Sequence, residues 1–374
     1  MKHFKSGEYI SQGYYKSFQP ELINKQLQIK NMEVMQLLSQ ADREIGRLDM
    51  YSKYVPNIDL FISMHVLKEA TKSSKIEGTQ TNMDEALLDM EDIPLNKRDD
   101  WEEVQNYIKA MEWAISELEK LPFSSRLIKN THKILLQGVR GEKKQPGEFR
   151  NSQNWIGGAT INDATFIPPV HTSIPELMSD LEKFLHNEEI FLPELLKIAL
   201  VHYQFETTHP FLDGNGRVGR LLIPLYLVSK NILKKPVLYL SDFFEKNRKL
   251  YYDNLMIVRE KNDLDQWFKF FLVGIIETAR NGILTFDNIL QLQKNTEENV
   301  QLLGSRAVNA KKVVDYLYKR PLVNAERVSK ITEISMPSSY KLIADLEKMN
   351  ILKEVTGGQR SRQYIFDNYI KLFR

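Results

Sequence analysis

The chain of 374 residues contains no cysteine. This absence excludes disulfide bonds, metal sites built from thiolates and catalysis by a cysteine nucleophile. It also fits a reducing compartment.

Long apolar runs and an excess of one charge are missing as well. No hydrophobic stretch approaches the ~20 residues that cross a bilayer, and the first seven residues lack the apolar segment of a signal peptide. We therefore expect a cytoplasmic protein that makes no membrane contact. The 51 basic and 49 acidic residues leave a net charge of +2, so bulk charge does not favour nucleic acid as a partner. The length allows two or three domains.

Residues 209–220, which read HPFLDGNGRVGR, combine the side chains that a polyphosphate site needs. His209 supplies an imidazole that can act as a base near neutral pH. Asp213 is the only acid in the run, and a magnesium ion that bridges phosphates usually takes one or two carboxylates. The run therefore predicts a site for a magnesium-bound polyphosphate.

The second half of this run predicts how the anion is held. Glycines at 214 and 216 let backbone amides approach an anion closely. A helix that begins there directs its free N–H groups and its positive dipole end at the same anion. Arg217 and Arg220 then share one helix face and can each bind a phosphate with two hydrogen bonds.

The run resembles the signature of the Fic family, His-Pro-Phe-x-Asp/Glu-Gly-Asn-Gly-Arg-x-x-Arg, at every specified position. The resemblance implies transfer of AMP from MgATP to a Ser, Thr or Tyr hydroxyl of a target protein, with self-modification when the target is absent. It implies that His209 is the general base, Asp213 the magnesium ligand and Asn215 a contact of the α-phosphate.

The resemblance also assigns the remaining nucleotide contacts. The amides of Gly214 and Gly216 would form the anion hole, and Arg217 and Arg220 would bind the β- and γ-phosphates. Relatives that phosphorylate their targets carry lysine at the second glycine, so Gly216 favours AMP transfer over phosphorylation or a donor such as UTP. Tyr252, on a helix downstream, would line the adenine pocket; the alternative is a core tyrosine. The full nucleotide-binding set is Gly214, Asn215, Gly216, Arg217, Val218, Gly219, Arg220 and Tyr252.

Residues 73–78, SSKIEG, resemble the inhibitory motif of the family, Ser/Thr-x-x-x-Glu-Gly/Asn. The motif begins at Ser73, and its Glu77 is expected to pair with Arg220 and to keep the γ-phosphate out of its productive place. Without the signature downstream, the same residues would indicate an ordinary helix end. The alternative role of Glu77 is to orient a water that removes AMP, and the sequence leaves this role open.

Helical spacing of apolar residues dominates the chain, so we expect a mainly α fold. The pattern predicts helices over residues 20–48, 59–73, 101–121, from a cap at Ser124 towards 137, over 174–184 and 195–205, and onward from the signature through Pro224. The resemblance implies an N-terminal helical domain over 1–100, which carries the inhibitory motif, and a Fic-type helical core over 101–290.

The segment 141–170 is rich in glycine and proline and predicts a β-hairpin that turns near Asn162 and Asp163. In Fic proteins a hairpin at this place, called the flap, clamps an extended segment of the target. An inert surface hairpin is the alternative.

Residues 300–374 resemble a winged helix-turn-helix. Helices are predicted over 307–318, 324–332 and 338–349, and strands over 351–356 and 362–366, with Arg360 and Arg362 on the wing. Such modules bind DNA, form homodimers or contact other proteins, and the mixed charges here leave these partners open. The alternative function is a DNA-binding regulator in which the Fic core senses nucleotide.

Overall fold

The computed structural model describes residues 4–54, 58–139, 141–356 and 362–374. The helices that precede the signature are α1 (Met32–Tyr54), α2 (Ile58–Ile76), α3 (Met83–Leu87), α4 (Arg98–Glu117), α5 (Ser125–Leu135), α6 (Ile174–His186) and α7 (Glu194–Thr208). The helices from the signature onward are α8 (Asn215–Ser229), α9 (Ser241–Lys246), α10 (Arg248–Lys261), α11 (Leu264–Gln301), α12 (Ala307–Lys319), α13 (Ala325–Thr332), α14 (Met336–Lys348) and α15 (Asp367–Ile370). The expectation of a mainly α fold is confirmed.

The helix α7 lies at the centre of the core. Every residue from Leu195 to Thr208 is buried, as expected for a helix that is covered on all sides. It contacts α6, α8 and α11, while α1 lies along α11. Helix α8 follows directly after the signature loop and continues through Pro224, as predicted.

The predicted cap of α5 is confirmed. The Ser124 side chain accepts a hydrogen bond from the backbone N–H of Leu127, which is one of the free donors of the first turn. The cap fixes the beginning of the helix that carries His132 towards the signature loop.

The helix predicted from residue 20 is wrong over its first part, since α1 begins only at Met32. The amides of Ile23 and Asn24 instead donate to the carboxylate of Asp180 on α6. This tertiary contact competes with helix formation, so the segment is irregular although its apolar spacing is helical. Ahead of it, strands β1 (Gly7–Ser11) and β2 (Lys16–Pro20) form an antiparallel hairpin that the sequence analysis missed.

The predicted flap is smaller than expected. One antiparallel bridge joins Ile156 to Phe166, and a short 3₁₀ turn covers Ile161–Asp163, at the predicted turn. Strand β2 contacts the end of this segment, because the N–H of Phe18 donates a hydrogen bond to the carbonyl of Ile167 at 2.9 Å.

The C-terminal helices α12, α13 and α14 lie where they were predicted. Three short strands accompany them: β3 (Leu322–Val323), which was not predicted, β4 (Lys353–Glu354) and β5 (Tyr364–Ile365). They form one antiparallel sheet in the order β3-β5-β4. Arg360, expected on the wing, lies outside the described residues. Helix α12 contacts α2, where the ring of Tyr318 meets that of Phe61 edge to face.

Within the ranges given above, no helix combines the length and the apolar character that a membrane crossing requires.

Candidate functional site

His209 lies directly after α7 in a left-handed conformation, with φ of +49°. A residue other than glycine pays of order 1–3 kcal/mol for such a conformation, which persists only where its surroundings enforce it. Arg150 provides that enforcement. Its Nε donates to the His209 carbonyl at 2.9 Å, and its backbone N–H donates to the Pro210 carbonyl at 2.8 Å.

The imidazole of His209 is partly buried and stays neutral at physiological pH. Burial and the nearby charge of Arg150 lower its pKa to about 4, while Glu77 acts in the opposite direction. A neutral imidazole can accept a proton, so His209 is in the form that a general base requires.

His132, on α5, holds the loop between His209 and α8. Its Nδ1 accepts a hydrogen bond from the N–H of Gly147 at 2.8 Å, so the ring proton lies on Nε2, which donates to the Asp213 carbonyl at 3.0 Å. The ring also stacks on Phe211 with centroids 3.7 Å apart. Burial lowers the pKa of His132 to about 4, so the ring remains neutral. The sequence analysis did not identify this residue.

The first residues of α8 form the expected turn. Gly214 precedes the helix with φ of +75°, a conformation that favours glycine. The Asn215 side chain accepts from the N–H of Phe211 and donates to its carbonyl, both at 2.8 Å. The oxygen and the nitrogen of the Asn215 side chain thus each form one hydrogen bond within the loop, and these bonds stabilise the turn. The backbone N–H groups of the first turn have no partner within the helix and can bind an anion.

Asp213 lies at the rim of the site, with 42% of its side chain exposed. Its Oδ1 accepts from the N–H of Gly214 at 2.6 Å and lies 3.6 Å from a terminal nitrogen of Arg217. No group of three or more His, Asp or Glu side chains in the described residues could hold a metal ion. One carboxylate does suit Mg²⁺ that takes its other ligands from phosphates and water.

Arg220 is fully buried and held by the end of α2. Its Nε donates to Oγ of Ser73 and its NH2 group to the Ser73 carbonyl, both at 2.9 Å. The same NH2 group pairs with Oε1 of Glu77 at 2.6 Å. The expected contact between Glu77 and Arg220 is therefore present, and Ser73 contributes two further hydrogen bonds.

Glu77 brings its carboxylate to the beginning of α8. A Cβ atom on Gly216 would overlap Oε1 of Glu77. Burial acts to raise the pKa of Glu77, but the charge of Arg220 more than offsets it, so the pKa lies below its usual value. Glu77 is thus an anion that occupies the helix terminus, where a phosphate would bind.

Arg217 contacts α4. Its NH1 group donates to Oε2 of Glu103 at 3.2 Å, and both side chains are buried. Glu103 was not identified from the sequence. Nothing in the local pattern of α4 marks it, because its partner lies 114 residues away.

Behind α8 a hydrogen-bonded chain runs to α10. The Tyr251 hydroxyl donates to Nε2 of His202 at 2.8 Å, and Nδ1 of His202 donates to the Gly219 carbonyl at 2.9 Å. Burial lowers the pKa of His202 to about 3, which keeps it neutral. A Cβ atom on Gly219 would overlap Oε1 of Glu206, so a larger residue there would displace this buried carboxylate.

Two predicted nucleotide contacts remain to be located. Val218 is buried within α8. Tyr252 is partly buried on α10, with its ring 5.1 Å from that of Tyr251. Burial raises the pKa of the Tyr252 hydroxyl, and the charges of Glu77 and Arg220 act on it as well. Tyr252 therefore lies within electrostatic reach of the Glu77–Arg220 pair.

Two family descriptions match the chain. Residues 35–116 match the Fic/DOC family N-terminal domain and residues 122–227 match the Fic/DOC family, and together these ranges span half of the chain.

Several known proteins are similar to the chain. The protein adenylyltransferase Fic of Aedes aegypti is 35% identical over 115 residues, which are 30% of this chain and 20% of that protein. A probable protein adenylyltransferase of Aquifex aeolicus is 27% identical over 216 residues, which are 53% of this chain and 65% of that protein. The chain thus spans about a fifth of the length of the insect relatives that it matches.

The fold also resembles a solved structure. The crystal structure of a Fic family protein from Desulfovibrio desulfuricans G20 matches with a TM-score of 0.59 and 17% identity, over 91% of this chain and 98% of that one. At this identity the likeness concerns the fold alone.

Proposed function

The chain belongs to the Fic/DOC family, and we propose that it transfers AMP from ATP to a hydroxyl group of a protein. The hydroxyl oxygen forms a bond to the α-phosphorus while the bond from that phosphorus to pyrophosphate breaks. The hydroxyl proton passes to His209, and pyrophosphate leaves. The relatives named protein adenylyltransferase support this class of reaction.

One observation carries the proposal: a neutral imidazole lies four residues before an aspartate and six residues before the beginning of an anion-binding helix. The lowered pKa of His209 keeps the imidazole unprotonated at neutral pH, the form that a general base requires. The free N–H groups of the first turn of α8 are available where negative charge develops on phosphate oxygens. Loss of one such contact typically costs about 2.7–4 kcal/mol of barrier.

Asp213 is the residue that would hold Mg²⁺. Its exposed carboxylate at the rim of the site suits an ion that keeps several waters and binds phosphates. Such an ion supplies positive charge to the phosphate oxygens. His132 and the Gly214 amide orient this carboxylate through the Asp213 carbonyl and Oδ1.

Glu77 is proposed as the brake on this reaction. While it pairs with Arg220 and stands against Gly216, Arg220 cannot bind the γ-phosphate and the helix terminus already has an anion. The pair is partly buried and charge-assisted, which makes it stronger than a surface pair. Glu77 follows the end of α2, and Gly78 after it has φ of +101°, so the turn that carries the carboxylate is separate from the helix.

The remaining roles follow the geometry. Asn215 remains the candidate contact of the α-phosphate, since its side-chain nitrogen carries a second N–H beside the one donated to the Phe211 carbonyl. Tyr252 is retained as the candidate for the adenine pocket. The segment 300–374 is proposed as a winged helix; several residues of its α14, among them Tyr340 and Lys341, are exposed and available to a DNA or protein partner.

Intact-mass spectrometry after incubation with MgATP tests the function. The Glu77→Gly variant is expected to gain the mass of one or more AMP groups, and the Glu77→Gly/His209→Ala double variant to gain none. Addition of candidate protein substrates extends the test to targets. Absence of AMP from both the enzyme and every protein of a cell extract would remove AMP transfer as the function.

A further inference from the structure

Glu103 binds two parts of the site through one oxygen atom. Its Oε2 accepts a hydrogen bond from Arg217 NH1 at 3.2 Å and one from the Thr79 hydroxyl at 3.0 Å. Thr79 lies two residues after Glu77. The carboxylate of Glu103 thus lies between the first arginine of the signature and the segment that follows the brake.

Glu103 and Glu77 hold their arginines in different ways. The Glu77 side chain is 35% exposed and lies on a turn, whereas the Glu103 side chain is 8% exposed and lies inside α4. A buried pair is costly to separate, because each group would remain charged without a partner. Glu77 can therefore leave its arginine, and Glu103 stays with its own.

The two arginines also differ in the donors that they have left. Arg220 uses Nε and NH2 on Ser73 and Glu77. Arg217 uses NH1 on Glu103, and its buried Nε has no hydrogen-bond partner in the described part of the chain. The other terminal nitrogen, NH2, lies 3.6 Å from the exposed Asp213, too far for a hydrogen bond, so it is the donor left for a ligand while Glu103 holds NH1.

We propose that Glu103 is a positioning residue that orients Arg217 for the polyphosphate of the nucleotide. This inference rests on the proposed function in so far as the ligand is a nucleoside triphosphate. Glu103 does not touch the ligand and acts through Arg217.

Asp213, a second carboxylate near Arg217, determines whether loss of Glu103 weakens or strengthens the binding of triphosphate. If Glu103 loses its charge, the nearest anion to Arg217 is Asp213, at 3.6 Å and one helical turn away. Closure of that pair would withdraw the arginine from the phosphates and the carboxylate from Mg²⁺. Loss of Glu103 should therefore weaken the binding of triphosphate. A second brake would have the opposite effect, since its removal would free Arg217.

Calorimetric titration of the full-length Glu77→Gly protein with MgATP and with adenosine tests the inference. Glu103→Gln keeps the size of the side chain and one acceptor oxygen. We expect it to weaken the binding of ATP at least about tenfold, or ~1.4 kcal/mol, without changing the binding of adenosine. Thr79→Val is the matched control, because it removes the other hydrogen bond of the same oxygen and leaves both charges. It should keep ATP affinity within about twofold of Glu77→Gly.

A double-mutant cycle separates positioning from damage to the fold. In an Arg217→Gln background, Glu103→Gln should cost no further ATP affinity, since the residue through which it acts is absent. Unchanged or tighter ATP binding by Glu103→Gln, equal losses in Thr79→Val, or additive losses in the cycle would each overturn the inference.

Failure of ATP binding and failure of AMP transfer can be told apart. If Glu77→Gly binds ATP but transfers no AMP, the proposed function is wrong and the cycle still decides the role of Glu103. If Glu77→Gly binds no ATP, Arg217 has no triphosphate to meet and both proposals are wrong.

Discussion

Gly216 and Glu77 share one space at the beginning of α8. The glycine has no Cβ atom, and Oε1 of Glu77 occupies the position that a Cβ atom would fill. Under the proposed function, this space would hold Glu77 while the brake is closed and a phosphate once the brake has opened. The φ angle of Gly216 is not positive, so the reason for glycine is space rather than backbone conformation.

This relationship predicts the effect of Gly216→Ala. The added methyl group meets the end of a flexible side chain, so Glu77 should move aside and release Arg220. We expect self-adenylylation to rise above wild type but to stay below Glu77→Gly, since the methyl group also narrows the phosphate site. Labelling with radioactive ATP measures the rates.

The control for that prediction is the double variant. In a Glu77→Gly background, Gly216→Ala should only slow the reaction, because no brake remains to be displaced. An increase in the double variant would mean that the methyl group acts on something other than Glu77.

Local sequence predicted a large part of the molecule. The cap at Ser124 and the helix through Pro224 depend on neighbouring residues and were found where expected. The Glu77 to Arg220 contact was anticipated only because two motifs were read together.

Other contacts leave no local pattern. His132 meets Asp213 across 81 residues, and Glu103 meets Arg217 across 114. A histidine or a glutamate on an amphipathic helix looks the same whether or not such a partner exists. The irregular segment before α1 was missed for the same reason, since Ile23 donates to Asp180, 157 residues away.

The pH dependence of transfer should reflect the lowered pKa of His209. Because burial and Arg150 bring it to about 4, His209 is neutral from about pH 5 upward, and the rate should fall only as pH drops through 4. Glu77 raises this pKa, so its removal should move the fall to still lower pH. The self-adenylylation rate of Glu77→Gly, measured from pH 5 to 8 at saturating MgATP, should therefore show no fall near pH 6.5 that is caused by protonation of His209.

Glu206 should make the stability of the fold depend on pH. Burial raises the pKa of its carboxyl from 4.5 to about 7, with Glu77 adding to the effect and Arg220 opposing it. The folded state keeps the proton where the unfolded chain has lost it, so this contribution is fully present below about pH 4.5 and is lost as pH rises through 7. At about 1.4 kcal/mol per pKa unit, the loss amounts to at most ~3.5 kcal/mol.

Glu206→Gln removes this titration while it keeps the shape of the side chain. Its free energy of unfolding relative to wild type, measured with urea, should therefore increase between pH 5 and pH 8. The same difference at both pH values would show that Glu206 is ionised in the folded protein throughout.

His132→Phe should loosen the magnesium site without emptying the core. The phenyl ring can keep the stack on Phe211, but the N–H of Gly147 and the carbonyl of Asp213 lose their partner. An unpaired buried group typically costs about 1–3 kcal/mol, so the free energy of unfolding should fall by that order. Because the Asp213 carbonyl is released, its carboxylate loses a fixed direction.

In the Glu77→Gly background, the Mg²⁺ concentration for half-maximal transfer should rise severalfold, while high Mg²⁺ restores most of the rate. His186→Phe is the matched control, because the hydrogen bond of His186 in the described residues goes to the Phe123 carbonyl and not to Asp213. It should lose stability without a change in Mg²⁺ requirement, and an equal change in both variants would show that general loosening, not the direction of Asp213, controls the metal.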